Sequence, residues 1–410
     1  MAPYESDDTR DTERAGAPHA GRRKAARYVV PVAVVGVAAA TIGLVPALAD
    51  SGDPDLPKIT AQQLIEKIAK SDVEQLSGTV RISTDLGLPD LGGLADGLVS
   101  GGGKGGDGSS ADPSAKLTEL ASGTHTLRVA TDGPDRQKIS LIESAAEYSI
   151  VHNGKDLWGY DSKSDEVYHS TVPQQGKEHR DQAPATPKDF ADEALKSVDD
   201  TTSVTVDGTA RVAGRDAYRL VIKPRHASGT TVGVISIAVD AKTGMPLKFT
   251  LTPATGGAAV VDAGFTRISF AEPAASTFRF TPPKGAKVTE GEDARAGEHS
   301  LPSGGFPKGL LPSPGVAGGE TAKDGMKVLG TGWNSIATFD TGARGGIPAS
   351  SGQGALSGFL GSLGDQVSGK FGKGTVFSTR LINALITDDG KVYAGAVTKD
   401  ALVKAANAAQ

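Results

Sequence analysis

VAGRDAYRLVIKP (212–224) and AVDAKTGMPLKF (238–249) decide the fold, together with GKDLWGYDSKSDEVYHS (154–170) before them and STFRFTPPKGAKVTE (276–290) after. In each segment apolar residues alternate with polar ones, the pattern of strands with one wet and one dry face. Tight turns and a Pro-Pro-x-Gly stop punctuate them. Asp240 and Thr243-Gly244 read as turn residues, since Asp bonds nearby backbone N–H groups and Gly takes positive φ. The four segments describe a curved antiparallel sheet, and nothing in them is catalytic.

Working outward, the alternation predicts strands over 76–84 and 123–132, a meander through 139–168 with turns at DGPD, HNGK and DSKSD, and five more strands within 203–270. Two amphipathic helices interrupt them. Thr60 and Gln63 form a capping box ahead of the stripe Leu64, Ile65 and Ile68. Thr186 caps the second helix, Pro187 takes its first position, and Phe190, Ala191, Ala194, Leu195 and Val198 line one side. Two helices cannot cover both faces of about ten strands, so the expected architecture is α+β, a half-open barrel with the helices on its concave side.

Composition narrows the function. The 410-residue chain carries a formal charge of −5 and a pI near 5.9, which gives no support to nucleic-acid binding. It has no Cys, hence no disulfide framework, thiolate metal site or acylated Cys. The seven His are scattered without metal-ligand spacing, and there is no G-x-S-x-G elbow or phosphate-binding loop. No catalytic residue, cofactor or metal site is expected, and the chain reads as a non-enzyme.

Residues 28–49 hold no charge over 22 positions, enough to cross a bilayer as a helix. Arg22, Arg23, Lys24 and Arg27 precede them, and Asp50, Asp53 and Asp55 follow. The positive-inside rule leaves 1–27 as a basic cytoplasmic tail and sends the rest out. Ala47-Leu48-Ala49 fits a signal-peptidase site, so a retained single-pass anchor and a secreted product cleaved after Ala49 both stand. The main domain is expected over 58–290, with ten glycines between 87 and 108 making 86–116 a mobile insertion between the first two strands. Its leucines allow a second reading, as a flap over an apolar opening. Residues 291–325 read as a Pro/Gly-rich linker and 326–410 as a small unit, with a loop at 342–374, a hairpin turning at Asp389-Gly390 and a helix capped by Thr398. About 50 ordered residues are marginal alone, so this unit is expected to dock on the main domain or pair with a partner.

The order helix, dG..lW.Yd, helix, V.GrdaYrL.i.P, vDa.TG.Pl.f and F.F.pP.Ga.V over roughly 60–290 resembles the LolA-like lipoprotein-carrier superfamily, which includes the RseB and MucB regulators and actinobacterial lipid-transfer lipoproteins. The matching positions are Trp158 and Tyr160; Val212, Gly214, Tyr218 and Leu220; Asp240, Thr243, Gly244 and Pro246; and Phe278, Phe280, Pro282, Pro283 and Gly285. The resemblance implies a concave face that holds acyl chains or a lipoprotein, with an anti-sigma factor or other envelope protein as a partner; membrane association through 28–49, read from the uncharged run itself, departs from the soluble carriers. The expected apolar cavity wall comprises Leu127, Val129, Leu141, Tyr148, Ile150, Trp158, Tyr160, Phe190, Leu195, Tyr218, Leu220, Ile237, Phe249 and Phe270. The competing reading of the same residues is ordinary core, in an extracytoplasmic interaction or structural module without lipid cargo.

Overall fold

The structure is a computed structural model that describes residues 53–87, 111, 122–171, 186–196, 198–226, 228–291, 327–340 and 364–409. The expected anchor at 28–49, most of the insertion and the linker at 291–325 lie outside the described residues, apart from Gly291 at its start.

Helix α1 (Ala61–Ala69) begins as its sequence requires: the Thr60 N–H donates to Gln63 Oε1 at 2.9 Å and the Gln63 N–H donates to Thr60 Oγ1 at 3.2 Å. Leu64 and Ile68 are its buried stripe. Strands β1 (Gln75–Thr84) and β2 (Gly123–Asp132) pair antiparallel on either side of the insertion. The meander continues as β3 (Arg136–Ile142), β4 (Glu147–Asn153), β5 (Asp156–Asp161) and β6 (Glu166–Thr171). Helix α2 (Pro187–Lys196) follows, with the Asp189 N–H donating to Thr186 Oγ1 at 3.3 Å and the Thr186 N–H donating to Asp189 Oδ2 at 2.9 Å. Then come β7 (Thr202–Val212), β8 (Arg215–Pro224), β9 (Val232–Asp240), β10 (Pro246–Pro253) and β11 (Val261–Ser269).

With a further edge strand β12 (Lys287–Glu290), these strands form one open sheet in the order β12-β6-β5-β4-β3-β2-β1-β11-β10-β9-β8-β7. It is large, curved and not closed into a barrel. The pairing of β1 with β11 joins the two meanders, with a bulge between Thr79 and Val80. Strand β12, the end of the Pro-Pro-x-Gly segment, departs from the expected antiparallel scheme by pairing parallel to β6. To reach that edge, residues 270–286 cross the back of the sheet as a strap. Its 3-10 turn Ala275–Phe278 lies on β3 and β4 and buries Phe278 to 1% exposure. The sheet therefore has twelve strands instead of about ten.

Helix α1 packs on β7 and β8, and α2 on β10 and β11. Phe190, Ala191 and Ala194 are buried, but Val198, expected on the same side, is 36% exposed because α2 ends at Lys196.

The C-terminal residues form a second sheet, β13-β14-β18-β17-β16-β15. Its strands are β13 (Lys327–Leu329), β14 (Ile336–Asp340), β15 (Asp365–Gly369), β16 (Gly372–Ser378), β17 (Asn383–Thr387) and β18 (Lys391–Gly395), followed by helix α3 (Lys399–Ala408). Strand β15 and the start of β16 fall inside the stretch expected to be a loop; Ser and Gly there conceal the alternation. Ile336, Phe371, Leu385, Tyr393 and Leu402 give this sheet its own core. It docks on the large sheet through Trp333, whose indole N–H donates to Thr202 Oγ1 at 2.9 Å, and through Arg380, whose Nη1 donates to Asp85 Oδ2 at 2.6 Å. Residues 53–410 form one compact unit.

Gly244, in the turn between β9 and β10, has φ +76°, and a Cβ there would stand 2.4 Å from the Lys67 carbonyl oxygen of α1. Gly244→Ala is expected to cost about 2–3 kcal/mol, from left-handed backbone strain plus displacement of α1. A urea midpoint shift with unchanged slope checks this.

Candidate functional site

Strand register sorts the expected wall residues by face, because successive side chains on a strand point to opposite sides. Leu220 stands opposite Ile237, and Ile237 opposite Phe249. Across the β1 junction the row continues from Val80 to Leu127, Leu141 and Tyr148. Val129, Ile150 and Tyr218 lie two residues along their strands from members of that row, on the same face. All of these contribute to the main apolar cluster, Ile150 as a partly buried neighbour.

Helix α2 brings Phe190 and Leu195 to this face. The Phe190 ring stacks on Phe249 with centroids 5.3 Å apart. Phe270 lies at one end, under the Arg215 guanidinium at 4.5 Å from its centroid. Strands β8 and β11 are three places apart in the sheet, so this contact reaches across the two strands between them.

Trp158 and Tyr160 are a correction. Ile150 pairs with Gly159 and Tyr148 with Asp161, so the two rings between and beside them point to the convex face. There Trp158 stacks on His169 at 3.9 Å, and both Trp158 and Tyr160 meet Phe280 of the strap at 5.5 and 5.8 Å. His169 Nδ1 lies 2.7 Å from Glu290 Oε2 and Nε2 3.3 Å from Asp156 Oδ1, fastening β12 to the edge. The cluster holds the strap and has no access to the concave face.

The concave face is covered by the chain's own groups. Leu127, Leu141, Tyr148, Phe190, Leu220, Ile237 and Phe249 are all buried. Besides the two helices, Trp333 and Leu381 of the C-terminal sheet join the same cluster. Ala111, from the Gly-rich insertion, is fully buried; its carbonyl accepts the Tyr148 hydroxyl at 2.9 Å, and a Cβ on Gly159 would meet that carbonyl at 2.3 Å. Val80 and Ile82 were legible as alternating apolar residues of β1, whereas nothing in the composition around Ala111 or Trp333 announces these contacts.

The strongest polar anchor is Asp240, 1% exposed. It accepts Arg215 Nη2 at 3.1 Å, the Thr243 N–H at 2.7 Å and the Thr243 hydroxyl at 2.9 Å. Burial alone would raise its carboxyl, but the Arg215 and Thr243 donors outweigh that and hold it below the usual range. Among the described residues, no group of three His, Asp or Glu is placed to hold a metal ion. No described helix is long and apolar enough to cross a membrane.

No family model matches the chain, and no curated protein does. Among solved structures it is similar to one of the Pseudomonas aeruginosa MucA/MucB complex, at 15% identity over 84% of this chain and 96% of that chain, with a TM-score of 0.40. It is also similar to an uncharacterized conserved protein from Thermus thermophilus, at 13% identity over 56% of this chain and 98% of that chain, TM-score 0.30. A LolA superfamily protein from Nitrosomonas europaea is similar at 12% identity over 54% and 99% of the two chains, TM-score 0.21.

Three variants test this geometry. Because the folded-state Asp240 carboxyl titrates below its unfolded value, its contribution to stability is present above about pH 4 and lost as pH falls through the folded value. Asp240→Asn should therefore flatten the stability loss as pH falls below about 4, and Arg215→Ala should cost roughly 2–3 kcal/mol at pH 7, both read from urea unfolding. Phe280→Ala should destabilise by about 2 kcal/mol while leaving any acyl-probe binding unchanged, because it removes strap packing on the face opposite the apolar row.

Proposed function

We propose that this chain is a non-enzymatic, extracytoplasmic binding protein whose concave sheet face takes the acyl chain of a lipid or lipoprotein, tethered or exported through residues 28–49, with an anti-sigma factor or other envelope protein as a partner. The observation that carries the reading is a continuous apolar row on an open, curved sheet, covered by two short helices together with single residues of the insertion and the C-terminal unit.

Since the row is covered, cargo must replace α2 and the residues beside it. About a dozen methylenes leaving water gain roughly 10 kcal/mol, against roughly 5 kcal/mol for re-exposing Phe190, Leu195 and the two alanines. Displacement is therefore favourable before the cost of association is counted. The second reading, an interaction module with a filled core, is favoured by the near-complete burial of the same row.

Ala194→Asp puts a charge under α2 at a position 1% exposed. The cargo reading expects several-fold tighter binding of a fluorescent fatty acid to this variant than to the parent chain, with circular dichroism reporting an intact sheet. It also expects lipid in a solvent extract of the purified parent. Absence of probe binding in both proteins, together with an extract free of lipid, would overturn the cargo reading in favour of the filled core.

A further inference from the structure

The convex face carries a cavity that the apolar row does not reach. It has a volume of about 440 Å³ and lies between β11, β1, β2, β3 and the strap. Arg128, Lys138 and Arg267 line it, with Glu147 as the lone acidic side chain and Thr79 and Thr277 among its hydroxyls.

Register explains how the cations come together. Arg267 and Arg128 are both direct partners of Thr79, on the strands to either side of it. Their backbones are thus about 10 Å apart with Thr79 between them. Lys138 pairs with Ala130, two residues along β2 from Arg128 and on the same face. Arg128 meets Glu147 only at 3.9 Å, with its side chain 67% exposed. Arg267 and Lys138 have no ion-pair partner among the described residues. The chain as a whole is acidic, at −5, so this is a local reversal of sign.

Charge balance selects the ligand. Three cations and one carboxylate leave the cavity at +2. A phosphate monoester carries about −1.5 to −2 at neutral pH and offers three strong acceptor oxygens, matching two guanidinium forks, an ammonium and flanking hydroxyls. A lone carboxylate would leave a surplus cation. We infer that the convex cavity between the strap and strands β11, β1, β2 and β3 is a binding site for a phosphomonoester, free or as a lipid headgroup, held by Arg128, Arg267 and Lys138. The site is independent of cargo on the concave face.

The test is isothermal titration of the full chain in non-ionic detergent with sn-glycerol 3-phosphate, with succinate as a dicarboxylate of the same charge. The expected result is saturable one-site binding of glycerol 3-phosphate, weakened at least ten-fold by Arg128→Gln and by Arg267→Gln. Arg81→Gln, on the same face but outside the cavity, should leave it unchanged. Short-chain phosphatidic acid below its micellar concentration separates the sources: ten-fold tighter binding than glycerol 3-phosphate identifies a headgroup, and equal binding a free ester. Succinate binding as tightly as the phosphate, no binding of either, or equal loss in Arg81→Gln would each overturn the assignment.

Discussion

An open sheet with one apolar face has to take that face out of water, and here no single matching sheet does so. Leu220, Ile237, Phe249, Val80, Leu127, Leu141 and Tyr148 make an apolar band across strands that span most of the sheet. Curvature shortens the distance that has to be covered. The cover is then assembled from pieces distant in sequence: α1, α2, Ala111, Trp333 and Leu381. Several of these are fixed at points where geometry leaves no slack. Gly244 sits under the Lys67 carbonyl, Gly159 under that of Ala111, and the Trp333 indole on the Thr202 hydroxyl.

The four segments that identify the fold in the sequence are joints of this structure. Two of them meet through Arg215 and the buried Asp240, which lock the β8 start to the β9–β10 turn and so position the end of α1. The other two meet where Trp158 and Tyr160 pack on Phe280 behind the sheet. Their spacing along the chain thus reflects which strands must be tied across the sheet. An aromatic pair that reads in sequence as a cavity wall instead fastens the strap.

Alternation, capping and turn residues made the strands of the main sheet and both of its helices legible, with boundaries close to the observed ones, because these features depend on neighbours in the chain. The capping box at Thr60 and Gln63 is an instance. Facing was legible only within a strand. Which of the two alternating sets looks inward depends on register with the next strand, and for that reason Trp158 reads as a wall residue when the strand is taken alone. The parallel pairing of β12 with β6 was hidden because four residues at an edge do not say which strand they join, and β15 because its exposed Ser, Gly and Asp residues carry no alternation. The contribution of Ala111 to the core had no signal at all, since a buried alanine in a Gly-rich run resembles every other residue around it. The cation cluster was equally invisible, being drawn from three strands whose adjacency spans about 140 residues of sequence between Arg128 and Arg267.

Covering the apolar face with helices rather than strands has a thermodynamic consequence. A strand leaving a sheet abandons a ladder of backbone hydrogen bonds, each of which must be remade with water or with another strand. A helix keeps its own bonds when it lifts, so the cost is confined to the apolar area it had buried. For α2 that area is essentially Phe190, Ala191, Ala194 and part of Leu195. The convex face is built the opposite way. Its strap ends in β12, hydrogen-bonded to β6 and pinned by His169 and Glu290, so displacing it would break a backbone ladder. Lifting α2 therefore takes less free energy than displacing the strap, because only the strap would give up inter-strand hydrogen bonds as it left.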